Sequence, residues 1–232
     1  MLTVALIVLL SYLVGSIPTS VWLGKARHGI DVRQHGSGNA GATNVFRVLG
    51  WKSGTAVLLL DALKGWTAAG VVSGLRVGPL PSFGGWNEAA AVGLIAGVAA
   101  VVGHTYPVFA GFKGGKGVAT SAGVLLALTL GSGLVTIATF VLVLVTTRFV
   151  SLASLAGAVA YPASLFAQKF VFGRPLDPSF LVLGTLMGAT LFYTHRANIG
   201  RLMRGEERRV RSFRPTRGSG RAAGLPSTPP SP

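Results

Sequence analysis

At 232 residues, half of them hydrophobic and only 12% charged, the chain lies far from a soluble domain, where about a quarter of residues carry charge. It has no cysteine, which excludes a disulfide framework, a thiolate zinc site and a thiol nucleophile. The net charge of +15 invites a nucleic-acid reading, but nine of the 21 Lys and Arg lie from Arg196 onward and most others sit in short loops between apolar runs. That distribution marks membrane topology and anionic headgroup contact, with no nucleic-acid partner.

The first charge is Lys25, so residues 1–24 form an apolar segment expected to remain as a first transmembrane helix, kinked near its end by Pro18. Lys25 to Ser53 reads as a polar loop with five basic residues against the single acid Asp31. Gly54 to Leu75 is a second apolar run holding Asp61 and Lys64, three apart and therefore on one helical face. Each ion costs about 2.5–3.5 kcal/mol at the bilayer centre, so the two are expected to pair inward, as a packing ion pair or as part of a site.

Residues 76–87 form a Gly- and Pro-rich loop, and a third span runs from Glu88 to about Ala110. Gly117 to Thr147 is 31 residues without a charge. One helix of that length would extend about 46 Å against a hydrocarbon core of roughly 30 Å. Two short helices hinged at Gly131-Ser132-Gly133 are expected instead. A sixth span covers about Leu152–Val171, including Pro162, and a seventh about Ser179–Thr194. Seven spans with the amino end outside put 17 basic residues on the cytoplasmic side and three outside, as the positive-inside rule requires. The expected fold is therefore an all-α integral membrane protein with seven transmembrane helices over residues 1–207. A disordered basic cytoplasmic tail is expected over 208–232, with six arginines, no acid and many Pro, Ser and Gly.

This topology gathers four polar clusters on one face: residues 36–47 (GSGNAGATNVFR), residues 103–121 (GHTYPVFAGFKGGKGVATS), Arg148 with Ser151, and residues 195–207 (HRANIGRLMRGEE). The second cluster packs five glycines with Lys113 and Lys116, which suggests backbone amides and two cations turned toward a phosphate or carboxylate. A plain glycine-rich cytoplasmic turn is the alternative. In the first cluster, Gly36 to Gly41 formally matches G-x-G-x-x-G, but no strand precedes it, so a dinucleotide site is rejected. What survives is a set of small residues able to approach an anion, with Arg47 as a bidentate phosphate clamp.

GFKGGKG is not a Walker loop, because its spacing is one short and no Ser or Thr follows Lys116. No histidine begins an H-x-x-x-x-D pattern, and no two histidines have metal-binding helical spacing, so no metal or cofactor is expected. His195 and Asn198 are three apart and could share a helix face, orienting a hydroxyl with His195 as a weak base. An interfacial histidine at a helix end is the competing reading.

The segments GSGNAGATNVFRVLG, GHTYPVFAGFKGGKGVATS, TRFVSLAS and HRANIGRLMRGEE together resemble the signature segments of the bacterial acyl-phosphate-dependent glycerol-3-phosphate acyltransferases, in order and spacing, up to about Glu207. The resemblance implies a seven-helix plasma-membrane enzyme whose site faces the cytoplasm. Such an enzyme transfers a fatty acyl group from acyl phosphate to glycerol 3-phosphate, giving lysophosphatidate for phospholipid synthesis. It further implies that Ser37, Arg47, Lys116 and Ser151 hold the phosphate groups. Gly38, Asn39, Thr43, Asn44, Lys113, Gly114, Gly115 and Gly117 would line the binding site around them. His195 and Asn198 would position the glycerol hydroxyl, and Glu206 would be structural, as would Asp61 and Lys64. The partners implied are the two substrates, membrane lipid and the enzyme that supplies acyl phosphate. Gly200 departs from the family, which has lysine there, and the arginine-rich tail lies outside the pattern. A carrier for a small phosphorylated solute is the competing class, since glycine-rich cationic helix ends also bind anions in transporters. The chain shows no internal repeat, and its polar clusters lie at one surface rather than at the midplane. A lipid-binding structural protein would leave the lysine-glycine stretch unexplained.

Overall fold

The structure, a computed structural model, describes residues 1–210. Among these residues the elements are all helical: α1 (Leu2–Gly15), α2 (Thr19–His28), α3 (Ala42–Gly70), α4 (Glu88–Thr105), α5 (Val118–Leu128), α6 (Leu130–Thr147), α7 (Val150–Phe166), α8 (Pro178–Thr194) and α9 (Arg196–Met203). Five stretches are long and apolar enough to cross a membrane: Leu2–His28, Ala42–Gly74, Glu88–Ala110, Leu130–Thr147 and Val150–Val171. α5 and α8 are shorter apolar helices. Helix α6 shows what surrounds the bundle, for it exposes Leu130, Leu134, Leu142 and Val145 and buries little beyond Ser132 and Gly133. A lipid surround covers such a face without cost.

Three boundaries differ from the sequence expectation. The polar loop is shorter than residues 25–53, because α2 runs on to His28 and α3 already starts at Ala42, bending at Gly50 (φ 82°). Only glycine adopts that left-handed backbone at little cost, so the bend falls there. The break in the 117–147 run lies at Thr129 (φ −143°, ψ 74°), not at Gly131-Ser132-Gly133. The two glycines occupy the first turn of α6, where a Cβ on Gly133 would stand 3.1 Å from the Leu125 carbonyl, so Gly133 allows α6 to fold back on α5, whereas Gly131 faces open space. Of the expected tail, 208–210 are described, and 211–232 lie outside the described residues.

Glycines set the spacing of the inner helices. A Cβ on Gly123 would collide with the Ala62 carbonyl, and one on Gly65 with the Thr120 carbonyl, so α3 and α5 meet backbone to backbone. A Cβ on Gly15 would likewise strike the Ala100 carbonyl, and one on Gly103 the Tyr12 carbonyl, across α1 and α4. Lipid tails are as apolar as leucine, so such close packing replaces the hydrophobic drive that joins helices in water. Within this core Lys64 Nζ lies 2.9 Å from Asp61 and also donates to the Ile17 carbonyl at 3.0 Å. Asp61 further accepts from Thr19 Oγ1 at 2.6 Å and has His104 Nδ1 3.6 Å away. One ion cluster thus ties the α1–α2 break, α3 and the end of α4 together.

Gly123→Val is expected to force α3 and α5 apart and destabilise the fold by roughly 3 kcal/mol, the upper end for overpacking. Unfolding in detergent should show a lowered midpoint; an unchanged midpoint would refute the close approach.

Candidate active site

The loop between α2 and α3 is built by Asp31 and Asn44. The Asp31 carboxylate caps the turn Val32–Gln34, accepting from Arg33 N at 3.0 Å, and takes the Arg33 guanidinium at 3.0 and 2.7 Å. The hydrogen bonds from Arg33 pull the Asp31 pKa down to about 2. Arg33 also donates to the Ala110 carbonyl at 2.7 Å, which fastens this loop to the turn that follows α4. Asn44 is almost wholly buried: its Oδ1 accepts from Ser37 N at 2.8 Å, and its Nδ2 donates to the Val32 and His35 carbonyls at 2.9 and 3.0 Å. The side chain expected to touch substrate is consumed in holding Ser37 and the Val32–His35 turn; Ser37, Gly38 and Thr43 are exposed, and Asn39 is half-buried.

The glycine stretch differs in mechanism from the expectation. Gly114 N donates to the Thr105 carbonyl and Gly115 N to the His104 carbonyl, each at 3.1 Å, so neither amide is free for an anion. A Cβ on Gly114 would collide with the His104 carbonyl, and one on Gly115 with the His104 ring. These glycines let the loop lie flat on the end of α4. Gly117 (φ 82°) then starts α5, whose first-turn N–H groups lack helical acceptors and whose dipole favours an anion beside Lys116. Lys113 stays exposed, whereas Lys116 is half-buried and points inward.

Lys116 Nζ donates to Asn198 Oδ1, and the Lys116 carbonyl accepts from Thr194 Oγ1 at 3.2 Å. Asn198 Nδ2 donates to Glu207 Oε1 at 2.6 Å, and Arg201 Nε to Glu207 Oε2 at 2.7 Å. Glu206, the acid expected to be structural, instead pairs at the exposed surface with Arg204 at 2.8 Å. Glu207 takes the structural position because Gly205 (φ 70°) reverses the chain after α9 and lays the next residues back along it. The glycine after a helical run was the sequence signal for that reversal. Val210 N continues it, donating to the Arg148 carbonyl at 2.8 Å. Ser151, in the first turn of α7, is buried beside Glu207, its hydroxyl without a hydrogen-bond partner yet near enough to lower that carboxylate's pKa. Arg47, exposed on the first arm of α3, feels the charges of Glu207 and Arg208.

Burial, then the Lys116 charge, lowers the His195 pKa to about 4, so the ring is neutral near pH 7. Its Nδ1 lies 2.8 Å from the Leu191 carbonyl and must carry the proton there, which leaves the Nε2 lone pair available. Burial also lowers Lys116, to about 8; Glu207 opposes that fall and Arg201 adds to it. Burial tends to raise Glu207, but hydrogen bonds from Asn198 and Arg201, with the Ser151 hydroxyl nearby, outweigh it and hold the carboxylate ionised. Hydrogen bonds join Lys116 and Asn198 to Glu207, Ser151 lies beside that carboxylate, and Arg47 and His195 are near enough to feel its charge. The set offers cations, a neutral imidazole and helix N-termini, and suits two anions held against their mutual repulsion.

The family model for Glycerol-3-phosphate acyltransferase matches residues 5–205. A glycerol-3-phosphate acyltransferase of Salinibacter ruber is 49% identical over 223 residues, covering 94% of this chain and 97% of the relative. Another from Chlorobium phaeobacteroides is 46% identical over 231 residues, covering 91% and 98%. Among solved structures, the chain resembles the crystal structure of PlsY (YgiH), an integral membrane glycerol 3-phosphate acyltransferase, in its glycerol 3-phosphate form. The TM-score is 0.75 at 40% identity, over 89% of this chain and 95% of that one. The lysophosphatidic acid form of PlsY gives a TM-score of 0.73 at 39% identity, over 89% and 94%.

Lys116 should react with an amine-directed acylating reagent with a midpoint near pH 8. In Glu207→Gln the midpoint should move lower, because the carboxylate that favours the charged amine is gone. Mass mapping after brief labelling across pH 6–11 reads both; a midpoint above pH 10 in the unchanged protein would refute the burial of this amine.

Proposed function

This chain belongs to the glycerol-3-phosphate acyltransferase family, and we propose that it moves a fatty acyl group from acyl phosphate to the 1-hydroxyl of sn-glycerol 3-phosphate. The products are 1-acyl-sn-glycerol 3-phosphate and phosphate. The observation that carries the reading is the link Lys116–Asn198–Glu207, which brings the glycine stretch and α9 together beside Ser151 and Arg47.

Acyl phosphate is a mixed anhydride with a good leaving group, so the residues have to position and neutralise rather than form a covalent acyl-enzyme. Arg47, Lys116, Ser37 and the unpartnered hydroxyl of Ser151 hold the phosphates, and His195 with Asn198 orients the glycerol hydroxyl. The hydroxyl oxygen attacks the acyl carbon, forming the ester bond, and the bond from that carbon to the phosphate oxygen breaks. Its proton passes to a phosphate oxygen, because a His195 pKa of about 4 makes that imidazole the weaker base. An apolar groove of about 570 Å³ between α1 and α4 is the seat proposed for the fatty chain. It reaches Tyr12, whose hydroxyl donates to the Tyr106 carbonyl at the head of the glycine stretch at 2.8 Å.

The apolar helices and the likeness to an integral membrane protein make this a multi-pass membrane protein. Seven spans, with α5 and α8 completing the count, an outer amino end and a site on the cytoplasmic face of a bacterial plasma membrane are part of the proposal. The basic-residue asymmetry supports it. The proposal keeps a membrane domain over 1–207 and a basic tail after it, and places the site where an enzyme supplying acyl phosphate can reach it.

Purified protein given glycerol 3-phosphate and acyl phosphate should form lysophosphatidate, and Lys116→Ala should lower that rate at least about 100-fold while the protein still folds. Product formed from acyl-CoA but not from acyl phosphate would overturn the donor assignment. Acylated protein appearing on mixing with donor alone would overturn the direct attack.

A further inference from the structure

The buried ion cluster of α3 and the glycine stretch meet at one residue, His104, which neither the ion-pair role of Asp61 and Lys64 nor the phosphate site explains. His104 stands in the last turn of α4 and is 6% exposed. One edge of its ring faces Asp61, with Nδ1 3.6 Å from the carboxylate that Thr19 and Lys64 already fix at 2.6 and 2.9 Å. The opposite edge faces the loop: a Cβ on Gly115 would collide with Nε2. The backbone closes the same contact, because the His104 carbonyl accepts Gly115 N and the Thr105 carbonyl accepts Gly114 N, each at 3.1 Å.

Gly115 immediately precedes Lys116. The lysine is therefore held from two sides, by His104 through its chain neighbour and by Thr194 and Asn198 from α8 and α9. We infer that His104, backed by Asp61, is a positioning residue that sets where Lys116 presents its charge. An imidazole suits the task because it is rigid and planar and carries a polar atom on each edge, so it spans the gap between a fixed carboxylate and a backbone. Asp61 and Lys64 then do more than satisfy each other in lipid. They anchor the ring against which the phosphate loop rests, and the reference point for a surface loop lies inside the membrane core.

This inference rests on reading Lys116 as a phosphate-holding residue, and its test includes an arm that does not depend on activity. His104→Asn keeps a polar atom near Nδ1 for Asp61 but empties the space beside Gly115; His104→Gln keeps an amide toward Gly115 and serves if the asparagine variant does not fold. In folded His104→Asn, amides 113–117 should exchange with deuterium about ten times faster than in the unchanged protein. The KM for glycerol 3-phosphate should rise about tenfold with kcat within about threefold, the signature of weakened binding rather than of a smaller folded fraction. His104→Gln should recover part of both effects. Gly115→Ala should be damaging alone and less so beside His104→Asn, since the collision it creates is with the ring. Unchanged exchange and KM in either His104 variant, or a Gly115→Ala effect of equal size in both backgrounds, would overturn the inference. If the unchanged protein forms no lysophosphatidate, the acyltransfer reading fails, and the exchange measurements still decide the role of His104.

Discussion

An unpaired charge in hydrocarbon is too costly to keep, and the arrangement of this bundle follows from how Asp61 meets that constraint. Lys64 supplies the opposite charge from the same helix, but a carboxylate has more than one lone pair to satisfy. Thr19 comes from the start of α2, Ile17 lends its carbonyl to the lysine, and His104 arrives from the end of α4. The break at Pro18, which in isolation looks like a flaw in the first span, delivers the Thr19 hydroxyl and the Ile17 carbonyl to this cluster. Three chain segments are thereby fixed to each other around a charge that is buried from any outside polar partner.

The glycine stretch is laid on that platform. Its glycines serve packing first: Gly114 and Gly115 spend their amides on the end of α4 and leave no room for a side chain. In the proposed reading, anion attraction falls instead to Lys116 and to the open first turn of α5 that Gly117 begins. The glycines thus serve the proposed phosphate site through geometry, since a loop that lies flat sets the lysine beside the helix end.

Charge balance around Lys116 is equally specific. Glu207 is the single carboxylate bonded to Asn198 and Arg201 among the described residues, and it keeps Lys116 charged despite burial. His195, buried with its Nδ1 proton given to Leu191, stays neutral beside that lysine. A cationic imidazole here would add repulsion to Lys116, and an unopposed lysine would lose its proton more readily. The carboxylate, the amide and the neutral ring together leave a positive site with a usable lone pair.

Much of this was readable from residue order. Apolar runs of membrane-spanning length and the pairing of Asp61 with Lys64 follow from hydropathy and helical spacing alone, because lipid penalises any other arrangement. The polar clusters expected at loops, by contrast, run into the first turns of α3, α5 and α7 and into α9. Resemblance then supplied the family. Other features waited on tertiary structure. Thr129 rather than the Gly131-Ser132-Gly133 hinge breaks the long run, and Gly133 lies inside α6 packed on Leu125. Asn44 became a brace and Glu207 displaced Glu206, because hydrogen bonds between distant segments, not local pattern, decided which polar atoms remained available. Sequence by itself determined which segments are apolar enough to meet a membrane and which residues carry charge. Only the folded chain decided which of those polar groups face a ligand and which are spent holding the others in place, since that depends on contacts between residues tens of positions apart.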